Sequence, residues 1–456
     1  MHPIAPHIFR EYDIRGIVGD DLDAAVARGV GRAFASMLAD PASARVGVGR
    51  DNRPSSPALA DALIAGLRAG GVDVVDIGTV PTPMVWWAES QLGLQGAIQI
   101  TGSHNPPEWN GIKMSMQGSV YGERIQEIRR RIERSEFVEG EGEIERREIL
   151  DLYIDDLLSR FELPRPVKVV VDCGNGSGAL VAVRLLEALG ADVIPLYCES
   201  DGTFPNHHPD PTVDAYLVDL IEKVRETGAE LGIAFDGDAD RLGAVDERGK
   251  IVRGDLILLL FGLDLIERRG PGQKLVFDVK CSQALPDVFE AAGGVPIMWK
   301  TGHSLMKEKM KEENAPLAGE LSGHICVGGE EYLGFDDALY DACALIDIVA
   351  RSDRPLSARI GEFPAWVSTS ELRIEVAEEE KFAIVEAALA HFREDHEVVD
   401  VDGARILFGD GWGLLRASNT QPVLVARYEA RTRERLTEIR AEVEQWLTGH
   451  GVTLQG

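Results

Sequence analysis

The chain has 456 residues, 45% hydrophobic and 27% charged, with a formal net charge of −29 at pH 7. Such a length calls for roughly three to four domains of ordinary size, and the composition supports packed cores rather than disorder. The acid excess excludes nucleic acid and anionic membrane as partners; an anionic substrate would need a local basic pocket that reverses the global field.

The N-terminus, MHPIAPHIFREYDIRG, lacks a basic start followed by an apolar core, so no secretory signal is visible. The first copy of a repeated unit follows: an apolar strand from Arg45 to Gly49, a helical stretch from Pro54, and a strand in GGVDVVDIG from Gly70. The charged stretch RRRIERSEFVEGEGEIERREILDLY then reads as an exposed helical connection. The second copy has VKVVVDCGNGSG, a helical LVAVRLLEAL and GADVIPL from Gly190; the third has KLVFDVK from Lys274, a helical stretch and GGVPIMW from Gly293. Strand, polar loop, helix, glycine stop and strand is the βαβ pattern of a mainly parallel sheet. The longest near-apolar run, Leu256 to Leu263, is too short to span a bilayer. From about Pro364 the pattern changes to antiparallel strands plus helices, and Glu429 to Leu447 reads as a solvated amphipathic helix. Five cysteines (Cys173, Cys198, Cys281, Cys326, Cys343) without C-x-x-C spacing suit a reducing cytoplasm and argue against a disulfide framework or a zinc site.

Each copy supplies one more strand that ends in an unusual loop: GAIQITGSHNP from Gly96, LGIAFDGDADR from Leu231 and PLAGELSGH from Pro316. Ligands bind at the carboxyl ends of strands in open α/β sheets, so three such loops with three chemistries predict one shared cleft. TGSHNPPEWNGIK (Thr101 to Lys113) presents Ser103 on a stiff polar loop. It lacks the G-x-S-x-G elbow of an acyl nucleophile, and adjacent side chains such as Ser103 and His104 rarely meet productively. A phosphate ester on Ser103 would instead carry about −1.5 to −2 charges and could ligate a metal. DGDADR places Asp236, Asp238 and Asp240 at i, i+2 and i+4, an oxygen set suited to a hard divalent cation. An EF-hand loop is rejected, because its sixth position should be glycine and here it is Arg241. In GELSGH, Glu320, Ser322 and His324 have the donors and acceptors that sugar hydroxyls need. By itself this is a weak signal, as is KTGHS with His303. RASNTQP joins Arg416 to hydroxyls and an amide, which fits a phosphate nest and an ordinary β-turn equally well.

In this order TGSHNPP, DGDADR, GELSGH and RASNT resemble the α-D-phosphohexomutase superfamily, over nearly the whole chain from FREYDIRG to RASNTQPVLVARYEA. DVKCS, MWKTGHSLMK and GELSGHICV are similar to its bacterial phosphomannomutase/phosphoglucomutase branch. The resemblance implies three related α/β domains of βαβ type with mixed sheets and a C-terminal α+β domain of TATA-binding-protein-like fold, around one central cleft. Boundaries are expected at 1–149, 150–252, 253–363 and 364–456. It implies that Ser103 is the phosphorylated serine, that Asp236, Asp238 and Asp240 hold Mg²⁺ with it, and that Lys113 and Arg241 sit beside the transferring phosphoryl group. His104, His303 and Arg15 join the catalytic candidates, and Tyr12 is expected near the serine. Lys280, His303, Glu320, Ser322 and His324 are expected at the sugar, with Glu320 on its 3-hydroxyl; Arg416, Ser418, Asn419 and Thr420 are expected at the non-reacting phosphate. The implied activity interconverts hexose 1-phosphate and hexose 6-phosphate through a hexose 1,6-bisphosphate, which also serves as activator. Leu321 stands where phosphoglucosamine mutases commonly have Gln, which argues against that alternative; a serine-dependent sugar phosphatase is the other. The expected enzyme is cytoplasmic and a monomer or weak homo-oligomer, with a phosphosugar as its partner.

Overall fold

The computed structural model describes residues 4–419 and 421–454. The chain forms two compact units: the first runs to Phe261 and includes Ser322–Arg359, and the second comprises Gly262–Leu321 and the chain from Ile360 onward.

Unit one contains two mixed sheets. The first is built from β1 (Ile14–Ile17), β2 (Arg45–Arg50), β3 (Asp73–Thr79), β4 (Gly96–Ile100), β5 (Trp109–Ser115) and β6 (Ile144–Arg146), in the order β1-β5-β4-β2-β3-β6. Here β2 pairs parallel with β3 and β4, while β5 returns antiparallel to β4 and β1. The second sheet repeats the plan with β7 (Lys168–Asp172), β8 (Asp192–Leu196), β9 (Leu231–Phe235), β10 (Leu242–Asp246) and β11 (Ile251–Val252), in the order β11-β10-β9-β7-β8. There β7 is parallel to β8 and β9, and β10 returns antiparallel. In unit two, β12 (Lys274–Asp278) is parallel to β13 (Val295–Trp299) and to β14 (Leu317–Gly319). All three copies therefore share a parallel trio with the first strand in the middle. β4 and β9 are buried at every position, as strands covered on both faces are, which is why they read as continuous apolar runs.

A short strand β15 (Ile325–Val327) belongs to unit one. The C-terminal segment of unit two is an antiparallel sheet of β16 (Val367–Ser368), β17 (Leu372–Glu375), β18 (Glu397–Val399), β19 (Ala404–Leu407), β20 (Gly411–Ala417) and β21 (Val423–Ala430). Its order is β16-β21-β20-β19-β18, with β17 also on β21. Helices Lys381–Phe392 and Arg433–Gly449 bury Ala388, Leu389, Ile439, Val443 and Leu447 against Leu415, Ala426 and Tyr428 of that sheet. Among the described residues, no helix is long and apolar enough to cross a membrane.

The connection expected to be helical is not continuous. Helix Glu123–Arg134 stops at Ser135, which has φ +54°, and β6 then pairs parallel with β3 before the next helix, Leu150–Leu158. The cause is close backbone contact: a Cβ on Gly142 would lie 2.0 Å from the Val72 carbonyl oxygen. The exposed Glu145 and Arg146 of this three-residue strand fit an edge position, and this pairing lies outside the reach of helical periodicity.

Candidate functional site

The buried strand β4 delivers the Ser103 loop, and a buried guanidinium holds it. Arg53 is 1% exposed and donates to the carbonyls of Ser103 (2.7 Å), Asn105 (2.7 Å), Pro106 (2.6 Å) and Trp109 (3.2 Å). Asp51 accepts from Arg53 Nε (3.0 Å) and from the Gly102 amide (3.1 Å), so one ion pair grips both the start and the body of the loop. Ser103 itself has φ +50°, in the left-handed region, and its amide donates to Thr101 Oγ1 (2.8 Å). This conformation brings neighbours together that an extended chain would separate: Ser103 Oγ lies 3.1 Å from His104 Nδ1. The expectation that these adjacent side chains do not meet is thereby corrected. Burial, then Arg241 and Arg15, lower the His104 pKa well below the ordinary histidine value, which leaves its ring neutral near pH 7.

Ser103 Oγ donates to Asp236 Oδ2 at 2.9 Å. Asp236 lies in the turn between antiparallel β9 and β10, and its Oδ1 accepts from the amides of Asp240 (3.1 Å) and Arg241 (3.2 Å), which tightens the turn. Asp236, Asp238 and Asp240 each offer an oxygen within 4.8 Å of the others, all buried. Lys113 Nζ donates to Asp238 Oδ2 (2.7 Å) and Asp240 Oδ2 (2.5 Å), and Thr82 Oγ1 donates to Asp238 Oδ2 (2.5 Å). Burial alone would lower the Lys113 pKa; Asp238 and Asp240 outweigh it and raise it. Asp236 is also pushed up, here by burial first and then by Asp240 and Asp238. One lysine thus faces three buried carboxylates.

Of the other expected residues, Arg15, Arg241 and His324 border this centre. Arg15 bonds to Asp13, to Asn105 and to the Gly102 carbonyl, while Tyr12 is half-buried. Arg241 Nε donates to His324 Nε2 (2.9 Å) and lies 4.0 Å from Asp236 Oδ2. Since Nε2 accepts, the His324 proton is assigned to Nδ1, which lies 3.0 Å from Asp336 Oδ2. Ser322 is half-buried in the same unit.

Unit two brings a second set together. Lys280 Nζ pairs with Glu371 Oε2 (2.8 Å) and lies 3.6 Å from Asp278 Oδ2. Its positive charge pulls the Glu371 carboxyl down to about 2. Glu320, 3% exposed, accepts from the Gly302 amide (2.6 Å), just ahead of His303 at the start of helix His303–Glu313. Arg416 pairs with Asp402 (3.0 Å), which also accepts from the Thr301 amide (3.0 Å). Ser418 is buried and Asn419 exposed at the end of β20, while Thr420 lies outside the described residues.

Four family models cover the chain in sequence: phosphoglucomutase/phosphomannomutase alpha/beta/alpha domain I (residues 6–139), domain II (151–249), domain III (253–366) and the C-terminal domain (371–445). The chain belongs to the phosphoglucomutase/phosphomannomutase family. It is 47% identical to a phosphomannomutase/phosphoglucomutase of Pseudomonas aeruginosa over 95% of this chain and 94% of that one. It is 43% identical to a phosphoglucomutase of Neisseria gonorrhoeae over 96% of each. A solved phosphoglucomutase/phosphomannomutase family protein from Burkholderia thailandensis matches with TM-score 0.92 and 43% identity, over 99% of this chain and 100% of that one.

For a phosphoglucomutase/phosphomannomutase family chain with net charge −29, the local chemistry matters more than the global field. Arg15, Arg53, Lys113 and Arg241 surround Ser103 and its aspartates in unit one. Lys280, Arg405, Arg416 and Arg427 are buried in unit two. The donor set also fits a metal: among the described residues, Asp238 Oδ1 and Asp240 Oδ1 are buried with no hydrogen-bond partner, a costly arrangement unless a cation satisfies them. Arg53, Asp51 and Thr82 are missed by motif reading. The signal for the first two was DNRPSS directly after β2, an acid and a base between a strand end and a helix start.

Proposed function

We propose that this chain is a phosphohexomutase that interconverts hexose 1-phosphate and hexose 6-phosphate, of mannose, glucose or both, through phospho-Ser103 and a hexose 1,6-bisphosphate. The observation that carries this reading is the Ser103 hydroxyl, fixed in a left-handed residue 2.9 Å from Asp236 inside the buried aspartate triad. Asp236, Asp238, Asp240 and Ser103 would hold a divalent cation, and the all-oxygen set favours Mg²⁺. When bound, that ion neutralises phosphate charge.

In the first half-reaction the Ser103 Oγ–P bond breaks, a P–O bond forms to the free sugar hydroxyl, and the hydroxyl proton leaves to a base while Ser103 Oγ takes one up. In the second, after the bisphosphate reorients, its other P–O bond breaks, the Oγ–P bond re-forms as Ser103 gives up its proton, and the freed sugar oxygen takes one back. Phosphoryl transfer is mainly positioning plus charge stabilisation. Lys113 and Arg241 supply positive charge, and Arg15 holds the serine loop through Asn105 and Gly102. The neutral His104 ring beside Ser103 Oγ has an acceptor for a proton. Lys280, His303, Glu320, Ser322 and His324 are assigned to the sugar, Glu320 to its 3-hydroxyl. Arg416, Ser418, Asn419 and Thr420 are assigned to the phosphate that is not transferred, and Tyr12 to the substrate near the serine. The buried basic groups of both units support an anionic phosphosugar substrate, and the cysteine pattern supports a cytoplasmic location.

The test is a coupled assay with glucose 1-phosphate and mannose 1-phosphate in Mg²⁺, with and without glucose 1,6-bisphosphate, alongside intact mass of the protein. A mutase shows bisphosphate stimulation and a phosphate on Ser103. Steady release of inorganic phosphate without isomerisation would make it a phosphatase, and turnover restricted to glucosamine phosphates would move it to that alternative.

A further inference from the structure

Two thiols face each other at the end of the second parallel trio, outside every motif so far assigned. β7 and β8 pair with Asp172 beside Leu196. The pairing continues past the strands: the Cys173 amide donates to the Leu196 carbonyl (3.2 Å) and the Asn175 amide to the Tyr197 carbonyl (2.8 Å). Tyr197 has φ +50°, a conformation that a bulky residue adopts only under constraint. The turn brings Cys198 back toward β7, with its thiol 3.3 Å from the carbonyl oxygens of both Val171 and Leu196. Cys173 Sγ and Cys198 Sγ are consequently 3.0 Å apart, inside ordinary non-bonded separation and about 1 Å from disulfide length.

The flanks are fixed as well. Asp172 accepts from the Gly174 amide (2.9 Å) and lies 3.1 Å from His207 Nε2. Asn52 Nδ2 donates to the Asn175 carbonyl (2.7 Å), and Asn175 Nδ2 to the Glu199 carbonyl (2.8 Å). The sulfurs are 25 positions apart in sequence yet held at bonding range by backbone on both sides. Cys198 is partly exposed, whereas Cys173, Cys281, Cys326 and Cys343 are buried. The partly exposed Cys198 is therefore the sulfur of the pair that a small solute reaches first, with its partner already in contact.

We propose that Cys173 and Cys198 form a reversible oxidation site that takes a small hydroperoxide as oxidant and closes to a disulfide. The Cys198 thiolate attacks one peroxide oxygen; the O–O bond breaks, water or an alcohol leaves, and Cys198 becomes a sulfenic acid. The Cys173 sulfur then attacks the Cys198 sulfur, the S–O bond breaks, and water leaves with the Cys173 proton. Two electrons pass from the sulfur pair to the peroxide, and a dithiol reductant reverses the bond. The staple ties down the loop whose Ser177 amide donates to the Gly237 carbonyl (2.9 Å), at the base of the aspartate turn.

The test treats the native full chain with hydrogen peroxide. Intact mass should fall by about 2 Da for one disulfide, reversed by dithiothreitol. Peptide mapping should link Cys173 to Cys198, and both should escape alkylation. In Cys173→Ser, Cys198 should instead retain oxygen, with a gain of about 16–32 Da. Oxygen added to wild-type Cys198 without a cross-link, full alkylation after peroxide, or a cross-link that forms only in urea would each overturn the proposal. Should the variant fail to fold, mapping of the wild-type chain decides alone.

Discussion

Replacing Arg53 by lysine separates loop positioning from folding. The guanidinium makes five side-chain bonds, one to Asp51 and four to carbonyls of the Ser103 loop. A lysine ammonium keeps the charge opposite Asp51, but its three donors share one point and cannot fork across four carbonyls. Losing about two charge-assisted bonds at ~1.5 kcal/mol each predicts ~3 kcal/mol of lost stability. The effect on turnover has a separate origin. Ser103 sits in the left-handed region between two of the lost contacts, and a displacement of ~1 Å at a reacting atom costs about 100-fold. The expected result is kcat lowered about 100-fold with KM for glucose 1-phosphate nearly unchanged, because the groups assigned to the sugar keep their partners. The assay is steady-state kinetics at saturating Mg²⁺, at a temperature where parallel urea melts report the variant folded. A wild-type kcat in a destabilised but folded variant would mean that Arg53 serves the fold alone.

Gly237→Ala should lower kcat about 100-fold, because its Cβ would stand 2.3 Å from the Ser103 carbonyl oxygen; unchanged kinetics would mean that the two loops shift freely. Asp238→Asn should weaken Mg²⁺ binding by at least the 10- to 100-fold typical of changes around a metal site, read as a rise in the Mg²⁺ concentration for half-maximal rate, and an unchanged titration would remove Asp238 from the ligand set. Arg416→Ala should cost about 2–3 kcal/mol, some 30- to 150-fold in kcat/KM, from both the 1-phosphate and the 6-phosphate; a defect in one direction only would assign it to a single fixed phosphate site. Glu371 carries the pH prediction. Its folded pKa, pulled to about 2 by Lys280, lies below the ordinary value, so its contribution is present above about pH 4.5 and is lost as pH falls toward 2. The urea-stability gap between wild type and Glu371→Gln should therefore shrink by about 1–1.5 kcal/mol from pH 7 to pH 3.5, and a pH-independent gap would reject the Lys280 pairing as its cause.

What was readable in the sequence followed from how strongly each feature is encoded locally. The runs at Gly96–Ile100 and Leu231–Phe235 are apolar at nearly every step because both faces are covered, and the turn after each is polar where burial ends. The carboxylate spacing of Asp236, Asp238 and Asp240 pointed to the candidate metal site without any tertiary information. Residues whose role depends on distant backbone stayed hidden. Arg53 looks like a surface charge until its partners, 50 or more positions away, are known. β6 is three residues of mixed character whose pairing is set by Gly142 against Val72. Cys173 and Cys198 show no motif spacing, since parallel strands joined by a helix bring together positions far apart in sequence. The Ser103–His104 contact turned on one φ value that residue identity alone does not reveal.

The seam between the serine loop and the aspartate turn is backbone against backbone, with Gly237 directly on the Ser103 carbonyl, Gly202 on the Asn52 carbonyl, and the Thr82 amide donating to the Asp238 carbonyl at 3.0 Å. Side chains cross the same seam, Ser103 to Asp236 and Lys113 and Thr82 to Asp238, so the segments cannot slide without breaking main-chain and side-chain contacts together. In the proposed cycle the phosphoryl donor and its counter-charges would therefore behave as a fixed anvil. In that proposal a bisphosphate that presents first one end and then the other would do the turning itself, and the difficulty of that step would belong to the sugar's tumbling rather than to any rearrangement of the reacting centre.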